Sequence, residues 1–308
     1  MRFCKIFLIF YICSYIFKEG VNKLQSEKIE PTYIGHNDGC EFIIPKKLFQ
    51  MILKGDIPPE DLKLFSKYMR KTIIGFDKAF KTKYGNKNKT KTETTPEFWE
   101  RFESKAKELG ADLIGYTPVN ENYIFKNLTI YGKNAIVLCM ELDWEKIKTA
   151  PSYFCAMEAF RVYKELGDAV IELTKYLQEQ GYKAEAHHPF GGKLLFPYHA
   201  VVANIGIIGK LGLLITPEFG PRQRIGIITT DADIPLNRKK RDFSELEEFC
   251  SNCEACVKSC KAALEEPVEK VKGSGVISRI DRSECIERLI DDNYCSICLK
   301  ICSLGHPK

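Results

Sequence analysis

The sequence predicts a mixed α/β (α+β) core followed by a small cysteine-rich module. Between residues 96 and 242, short apolar runs alternate with long amphipathic helical patterns, which is typical of a domain that packs helices on a sheet. The chain of 308 residues is 44% apolar, which is enough for a buried core. Eight of its 13 cysteines lie between residues 250 and 302, which defines the cysteine-rich module.

We divide the chain into four parts. Residues 1–21 form an apolar N-terminal segment. Residues 22–95 form an extension with a helix over residues 59–68 and a polar linker rich in Lys, Asn and Thr. Residues 96–242 form the α/β domain, and residues 243–308 form the cysteine module. We expect the chemistry in the last two parts, because the extension carries no recognisable site.

The core begins with a capped helix. Thr95 is a typical N-cap residue, Pro96 occupies the first helical position, and Gly110 ends the apolar spacing. Two strands are predicted next, at residues 111–116 and 134–141, because both are short β-rich runs bounded by turn residues.

The second half of the core is built around one long helix. Apolar residues recur at spacings of three and four over residues 156–180, and Gly181 ends the pattern. Strands are predicted at residues 182–187 and 224–231, with a short apolar run at 213–216 between them. This alternation completes the predicted sheet and its covering helix.

Charge and cysteine usage restrict the function. The net charge of +5 is small, and no basic stripe is interleaved with aromatic residues, which argues against DNA binding. Clustering of most cysteines in one tail indicates reduced thiolates in a reducing compartment, not disulfides. The scattered cysteines are interpreted as ordinary apolar residues: Cys4, Cys13, Cys40, Cys139 and Cys155.

The cysteine spacing predicts two [4Fe–4S] clusters. A run with Cx2Cx2Cx3C spacing is followed by an isolated cysteine and a run with Cx2Cx3C spacing. In two-cluster runs the first three thiolates bind one cubane and the fourth crosses to the other. The first cluster is assigned to Cys250, Cys253, Cys256 and Cys302. The second is assigned to Cys260, Cys285, Cys295 and Cys298.

A pair of structural Cys4 zinc sites is the alternative, although such sites usually combine two CxxC pairs separated by a dozen or more residues. Lys261 and Ser303 stand where ferredoxins commonly carry proline. Asp292 stands where the second run would have its first cysteine, so Cys285 supplies that ligand from a distance. These departures favour a specialised, ferredoxin-like double-cluster domain over a plain eight-iron ferredoxin.

Residues 6–17 form an apolar run with the length of a signal-peptide core, shorter than the roughly 20 residues of a membrane-spanning helix. No A-x-A cleavage site follows, and a protein exported unfolded would lose its clusters. We favour a cytoplasmic protein in which this run is either a buried helix or an interfacial helix that attaches the chain peripherally to a membrane. A wrongly chosen start codon is the alternative.

One segment carries a family signature. It is NIGIIGKLGLLITPEFGPRQR at residues 204–224, followed by the cysteine runs and preceded by LGADLIG at residues 109–115. This combination resembles corrinoid-dependent reductases over residues 95–302. It resembles reductive dehalogenases most and epoxyqueuosine reductases next.

The resemblance implies a nitroreductase-like core that holds a cobalamin-type corrinoid in base-off form. Electrons from a low-potential ferredoxin or flavodoxin would pass through both clusters to the cobalt, for cleavage of a carbon–halogen or related carbon–heteroatom bond in a small molecule. The backbone at Gly206, Gly209, Lys210 and Gly212 would approach the corrinoid closely. Tight packing of a helix against a strand explains the same glycine spacing.

Two residues match the dehalogenase pattern by position. Tyr163 falls where those enzymes carry the tyrosine that protonates the carbanion left after halide departs, and Arg224 falls where a cation makes that tyrosine a better acid. The alternative for Tyr163 is a core tyrosine beside the apolar face of its helix. His187 or His188 is a candidate for the polar group that dehalogenases place near Phe190, although a surface location is the commoner role of such histidines.

Two other functions compete. An epoxyqueuosine reductase-like enzyme of tRNA modification would share the scaffold, but no aspartate stands where those enzymes use one as an acid. A ferredoxin-like electron carrier without corrinoid would need the clusters but not the long α/β core. The sequence therefore favours a corrinoid and iron–sulfur oxidoreductase, and it does not identify the substrate.

Overall fold

The computed structural model describes residues 31–35, 59–81, 84, 91–236, 240–271 and 276–307. The helices are α1 (Pro59–Lys81), α2 (Pro96–Glu108), α3 (Trp144–Ile147), α4 (Tyr153–Glu179), α5 (Phe196–Val202), α6 (Ser244–Asn252), α7 (Ala255–Ser259), α8 (Arg282–Asp291) and α9 (Ile297–Ile301). The strands are β1 (Tyr33–Ile34), β2 (Leu113–Pro118), β3 (Thr129–Ile130), β4 (Asn134–Glu141), β5 (Ala184–His187), β6 (Ile207–Ile208), β7 (Leu214–Ile215), β8 (Gln223–Thr230), β9 (Ala263–Val271) and β10 (Val276–Ile280). Short 3₁₀ turns lie at Glu121–Tyr123 and Ser303–Gly305.

A four-stranded antiparallel sheet with strand order β2-β4-β8-β5 forms the centre of the fold. Strands β4 and β8 pair over their full length, from Asn134 opposite Thr230 to Glu141 opposite Gln223. Both strands are buried along nearly all of their residues, because the sheet is covered on its two faces. The antiparallel sheet with helices packed on it confirms the mixed α/β class in its α+β form.

Two hydrophobic clusters cover the two faces of the sheet. One joins α2 and α4 to the sheet, and its fully buried members from α4 include Val162, Leu166, Val170, Leu173 and Leu177. The other joins α5 and β7 to the opposite face through residues that include Phe196, Ala200 and Leu214. The two faces explain why β4 is apolar at consecutive positions and not only at alternate ones.

The predicted start of α2 and the predicted C-terminal ends of α2 and α4 are confirmed, whereas α4 begins three residues before its predicted range. The Thr95 hydroxyl accepts a hydrogen bond from the Phe98 N–H (3.3 Å), and Pro96 is the first helical residue. Gly110 and Gly181 follow α2 and α4 with φ of +89° and +95°. A left-handed backbone at these two positions favours glycine, which makes both helix ends readable from sequence.

Strands β2 and β5 each begin two residues later than predicted. The Ala111 N–H bonds to the Ala106 carbonyl (2.9 Å), and the Tyr182 N–H bonds to the Leu177 carbonyl (3.0 Å). Both residues therefore satisfy carbonyls at the end of the preceding helix before the strand starts.

Helix α1 continues to Lys81, well beyond the predicted range of residues 59–68. Its second half packs against α4, where the buried Thr72 hydroxyl donates to the Phe160 carbonyl (3.3 Å) and Phe76 is buried. Tertiary packing therefore extends this helix past the point that its local sequence indicates.

The cysteine module packs directly on the core. Leu299 is buried within the same hydrophobic cluster as α4, and Lys300 Nζ donates to the Ala150 carbonyl (2.8 Å). The N–H of Arg279, which lies in β10 of the antiparallel pair β9 and β10, donates to the Lys210 carbonyl (2.9 Å). These contacts hold the cysteines against the β6 and β7 hairpin.

No helix in the described ranges has the length and apolar character needed to cross a membrane. The apolar run at residues 6–17 lies outside those ranges.

Candidate functional site

The first group of thiols lies at the end of α6, the start of α7 and the end of α9. The thiols that surround Cys256 are those of Cys302, Cys250 and Cys253. Burial, followed by these neighbouring thiols, raises the pKa of Cys256 to about 11. Cys302 has Cys250 and Cys253 as its thiol neighbours as well. The four cysteines assigned to the first cluster are therefore neighbours in the fold.

The second group of thiols surrounds Cys298. The neighbouring thiols that raise its pKa are, from the largest effect to the smallest, those of Cys285, Cys295 and Cys260, followed by Cys256 from the first group. Burial, followed by the thiols around it, raises the pKa of Cys298 to about 12. The two groups are adjacent, because Cys256 and Cys298 interact with each other.

In the parts of the chain that the structure describes, no three or more His, Cys, Asp or Glu side chains are spaced to hold a single metal ion. The thiols within each group influence one another electrostatically, and this influence acts over longer distances than those between side chains that bind one metal ion. The two descriptions are compatible, since each thiolate of a [4Fe–4S] cluster binds a different iron.

The β6 and β7 hairpin lies beside the first thiol group. A cavity between them is lined by Gly209, Lys210, Cys250 and Cys253, among other residues. A Cβ atom on Gly206 would lie 2.1 Å from the Ile215 carbonyl oxygen. A Cβ atom on Gly209 would lie 2.9 Å from Ile215 Cγ1. Close packing within this hairpin is thus sufficient to require both glycines, although the alternative explanation of their spacing was a helix packed against a strand.

The other two members of the glycine-rich set have different contacts. Gly212 has a φ of +73°, and a Cβ atom there would lie 2.8 Å from the Ser278 hydroxyl. Lys210 forms an ion pair with Glu254, two residues before Cys256. A corrinoid-binding role for the whole set remains a prediction.

Tyr163 and Arg224 are brought together from α4 and β8. The Arg224 guanidinium carbon lies 4.8 Å from the centroid of the Tyr163 ring, within the range of a cation–π contact. Phe190 packs edge-on against the same ring at 5.4 Å. Within the described residues, the buried Nε of Arg224 has no hydrogen-bond partner. The pair therefore combines a phenol with a cation that retains an unused donor.

Cys155 connects this pair to the second thiol group. It is fully buried in the first turn of α4. Its thiol lies near the Ser296 side chain and within electrostatic range of Arg224 and Cys295. Burial raises the pKa of Cys155. The interpretation of Cys155 as an ordinary apolar residue missed this position, and no sequence spacing marks it.

The expectation that His187 and His188 lie at the surface is wrong, since they are 2% and 1% exposed. His187 Nε2 lies 3.0 Å from the Thr229 hydroxyl. His188 Nδ1 accepts a hydrogen bond from the Phe190 N–H (3.0 Å), and its buried Nε2 has no partner in the described part of the chain. Burial lowers the pKa of His187 to about 4 and that of His188 to about 3. His188 thus supports Phe190, which contacts Tyr163.

A separate cleft of about 880 Å³ opens beside α2, α3 and α4. Most of its charged lining residues are carboxylates, including Glu108, Asp112 and Glu172. None of the predicted site residues lines this cleft.

The sequence is similar to tetrachloroethene reductive dehalogenases. The one from Dehalobacter restrictus is 36% identical over 132 residues, which cover 42% of this chain and 23% of the relative. The one from Sulfurospirillum multivorans is 28% identical over 181 residues, which cover 55% of this chain and 35% of the relative. No protein-family model matches the chain.

Solved structures share the fold. A catabolic reductive dehalogenase in complex with 3-bromo-4-hydroxybenzoic acid has a TM-score of 0.68 at 18% identity, covering 91% of this chain and 44% of that chain. A reductive dehalogenase whose structure suggests a mechanism for B12-dependent dehalogenation has a TM-score of 0.65 at 17% identity, covering 80% of this chain and 37% of that chain. The chain spans 23% of the length of the first curated relative. The chain is thus similar to reductive dehalogenases in sequence over part of its length, and it shares their fold.

Proposed function

We propose that this chain is a reductive dehalogenase-like oxidoreductase in which two [4Fe–4S] clusters supply electrons to a base-off corrinoid. The reaction is the reductive cleavage of a carbon–halogen or related carbon–heteroatom bond. One observation carries the proposal: two adjacent groups of four thiols, the second of which is connected through Cys155 to Arg224 and Tyr163.

The thiol groups fit the two clusters. The first group would hold one cluster through Cys250, Cys253, Cys256 and Cys302. The second would hold the other through Cys260, Cys285, Cys295 and Cys298. Each group offers four thiolates, which is the usual ligand set of a cubane. A low-potential donor of the ferredoxin or flavodoxin type would supply the electrons.

The unused Nε donor of Arg224 fits a polar or anionic group bound beside the Tyr163 ring. When bound, the corrinoid supplies a low-potential metal centre for two-electron reduction of the substrate. Replacement of halide by hydrogen consumes two electrons and one proton and releases the halide anion. Tyr163 would hold that proton on its hydroxyl, and the nearby Arg224 cation would stabilise the phenolate that remains.

Two features support a dehalogenase-like enzyme over the alternatives. The curated relatives described above are tetrachloroethene reductive dehalogenases, which favours this chemistry over epoxyqueuosine reduction. The Tyr163 and Arg224 pair has no function in a simple electron carrier, although it lies close to the second thiol group. The binding roles of Gly206, Gly209, Lys210 and Gly212 remain part of the proposal.

The deciding experiment is an anaerobic EPR spectrum of the reconstituted protein mixed with cob(II)alamin. Reducible [4Fe–4S] signals together with a change to the base-off cobalt signal would support the corrinoid enzyme. Cluster signals with an unchanged cobalt spectrum would instead support an electron carrier on this scaffold. Each outcome also decides whether halogenated substrates are worth screening.

Iron content tests the ligand assignment independently. Cys256→Ser and Cys298→Ser should each lower the iron content by about four atoms per chain, because each removes a ligand from a different cluster. Cys139→Ser is the matched control, since Cys139 is fully buried in β4 and belongs to neither thiol group. Equal iron loss in all three variants would contradict the assignment.

A further inference from the structure

Arg222 is a buried arginine that the proposed reaction does not use. It is 2% exposed, and its Nη1 donates to the Glu141 carboxylate (2.7 Å) and to the Leu142 carbonyl (2.6 Å). Its Nε donates to the carbonyl of Gly305, in the turn that follows α9. A single side chain thus ties the C-terminal turn to the end of β4 in the central sheet.

The backbone of Gly305 fits tightly against the segment that carries Arg222. A Cβ atom on Gly220 would lie 2.4 Å from the Gly305 nitrogen. A Cβ atom on Gly305 itself would lie 3.1 Å from Pro221 Cδ and 3.4 Å from Arg222 Cγ. The turn is therefore held in place by close packing as well as by the hydrogen bond from the guanidinium.

The same turn surrounds the sulfur of Cys302. The backbone N–H groups of Leu304 and Gly305 lie near the Cys302 sulfur and favour its thiolate form. The Gly305 N–H donates a hydrogen bond to the Cys302 carbonyl (2.9 Å), which closes the turn around this cysteine. Arg222 holds the carbonyl of the same glycine.

Hydrogen bonds to ligand sulfurs are among the factors that set the reduction potential of an iron–sulfur cluster. Reduction adds one negative charge to the cluster, so N–H donors at its sulfurs stabilise the reduced form more than the oxidised form. Losing such donors, or the buried cation behind them, should make the cluster harder to reduce.

We propose that Arg222 is a positioning residue for the first cluster. By fixing the Gly305 carbonyl it keeps the backbone N–H groups of this turn next to the Cys302 sulfur, and it thereby raises the reduction potential of that cluster relative to the second. The inference depends on the proposed function, since it assumes that the first thiol group holds a [4Fe–4S] cluster.

The test is a potentiometric titration of the reconstituted full chain, followed by EPR. The signal that disappears in Cys256→Ser identifies the first cluster. In Arg222→Gln we expect the midpoint potential of that signal to fall, with reduction at least tenfold less favourable, which is about 59 mV for a one-electron couple. The second signal should not move.

Arg161→Gln is the matched control. Arg161 is also an arginine paired with carboxylates, those of Glu158 and Glu165, but it lies on α4 and has no described contact with the C-terminal turn. Both potentials should be unchanged in this variant. If Arg222→Gln does not fold, Arg222→Lys is measured, because lysine keeps the buried charge but cannot make all the contacts of the guanidinium.

The outcomes separate this inference from the proposed function. A fall in potential confined to the first cluster, or selective loss of that cluster, supports the role of Arg222, and a rise overturns it. Unchanged potentials, or equal shifts of both clusters, overturn it. Absence of clusters in the unsubstituted chain would instead overturn the proposed function.

Discussion

Substitution of Gly167 by alanine should destabilise the protein, although alanine is the better helix former. Gly167 lies in the middle of α4, and the His188 ring occupies the space beside it. A Cβ atom at this position would lie 1.9 Å from His188 Nε2 and 2.5 Å from its Cδ2. The ring is restrained on its other side, because its Nδ1 accepts the hydrogen bond from Phe190.

The magnitude follows from two opposing terms. Alanine in place of glycine stabilises a helix interior by about 0.8–1.0 kcal/mol. Overpacking a buried site costs about 1–3 kcal/mol, and displacement of His188 also weakens its hydrogen bond by about 1 kcal/mol. The second sum is larger, so Gly167→Ala should lower the free energy of unfolding by about 1–3 kcal/mol.

A double-mutant cycle with His188→Ala provides the assay, with free energies taken from anaerobic urea unfolding. Without the imidazole, Gly167→Ala should become stabilising by about 1 kcal/mol, so the effect changes sign. Gly75→Ala is the matched control, since its Cβ atom would stop 3.0 Å from His188 Nε2 and should cost much less. The same sign in both backgrounds would refute the packing argument.

Three further predictions concern buried histidines, the proposed acid and a helix cap. Burial lowers the pKa of His187 and His199 to about 4 and of His188 to about 3, so these residues bind protons only when unfolded as pH falls below about 6.5. The free energy of unfolding should be constant above that pH and fall below it, by up to about 1.4 kcal/mol per pH unit for each histidine; a flat profile from pH 7.5 to 4.5 would contradict this. Tyr163→Phe should abolish dehalogenation while iron content and corrinoid binding stay unchanged, and retained turnover would remove Tyr163 from the reaction. Thr95→Ala should lower the free energy of unfolding by about 1 kcal/mol through loss of the cap, and an unchanged urea midpoint would count against it.

The parts of the fold that sequence predicted correctly are those that depend on local chemistry. The ends of α2 and α4 follow from a threonine cap and from glycines with positive φ, which act within a few residues. The length of α1 does not follow from local sequence, because its second half is stabilised by contacts with α4, such as the hydrogen bond from Thr72 to the Phe160 carbonyl. The burial of His187 and His188 was missed for the same reason, since the glycine that admits the His188 ring lies on α4.

Some features of the candidate site could also be predicted from the sequence, and others could not. Cysteine spacing predicted which thiols become neighbours, because in a two-cluster run the fourth cysteine crosses to the other group; that the two groups bind clusters stays a prediction. The positions of Cys155 and Arg222 depend on partners far away in sequence, Ser296 and Gly305, and carry no spacing signal. The Tyr163 and Arg224 pair was found only through the family resemblance, since neither residue is distinguished by its local sequence.

The arrangement of the thiol groups also matches the electron count of the proposed reaction. Replacement of halide by hydrogen takes two electrons, and each [4Fe–4S] cluster transfers one at a time. The first group lies beside Phe249, which is 44% exposed. In the second group, Cys295 lies within electrostatic range of Cys155, which is also within range of Arg224. Electrons that enter near Phe249 would therefore meet the first cluster before the second. If Arg222 keeps the first cluster at the higher potential, transfer to the second is uphill until the first is largely reduced. Both electrons would then be stored before the reaction begins, which disfavours release of a one-electron radical product.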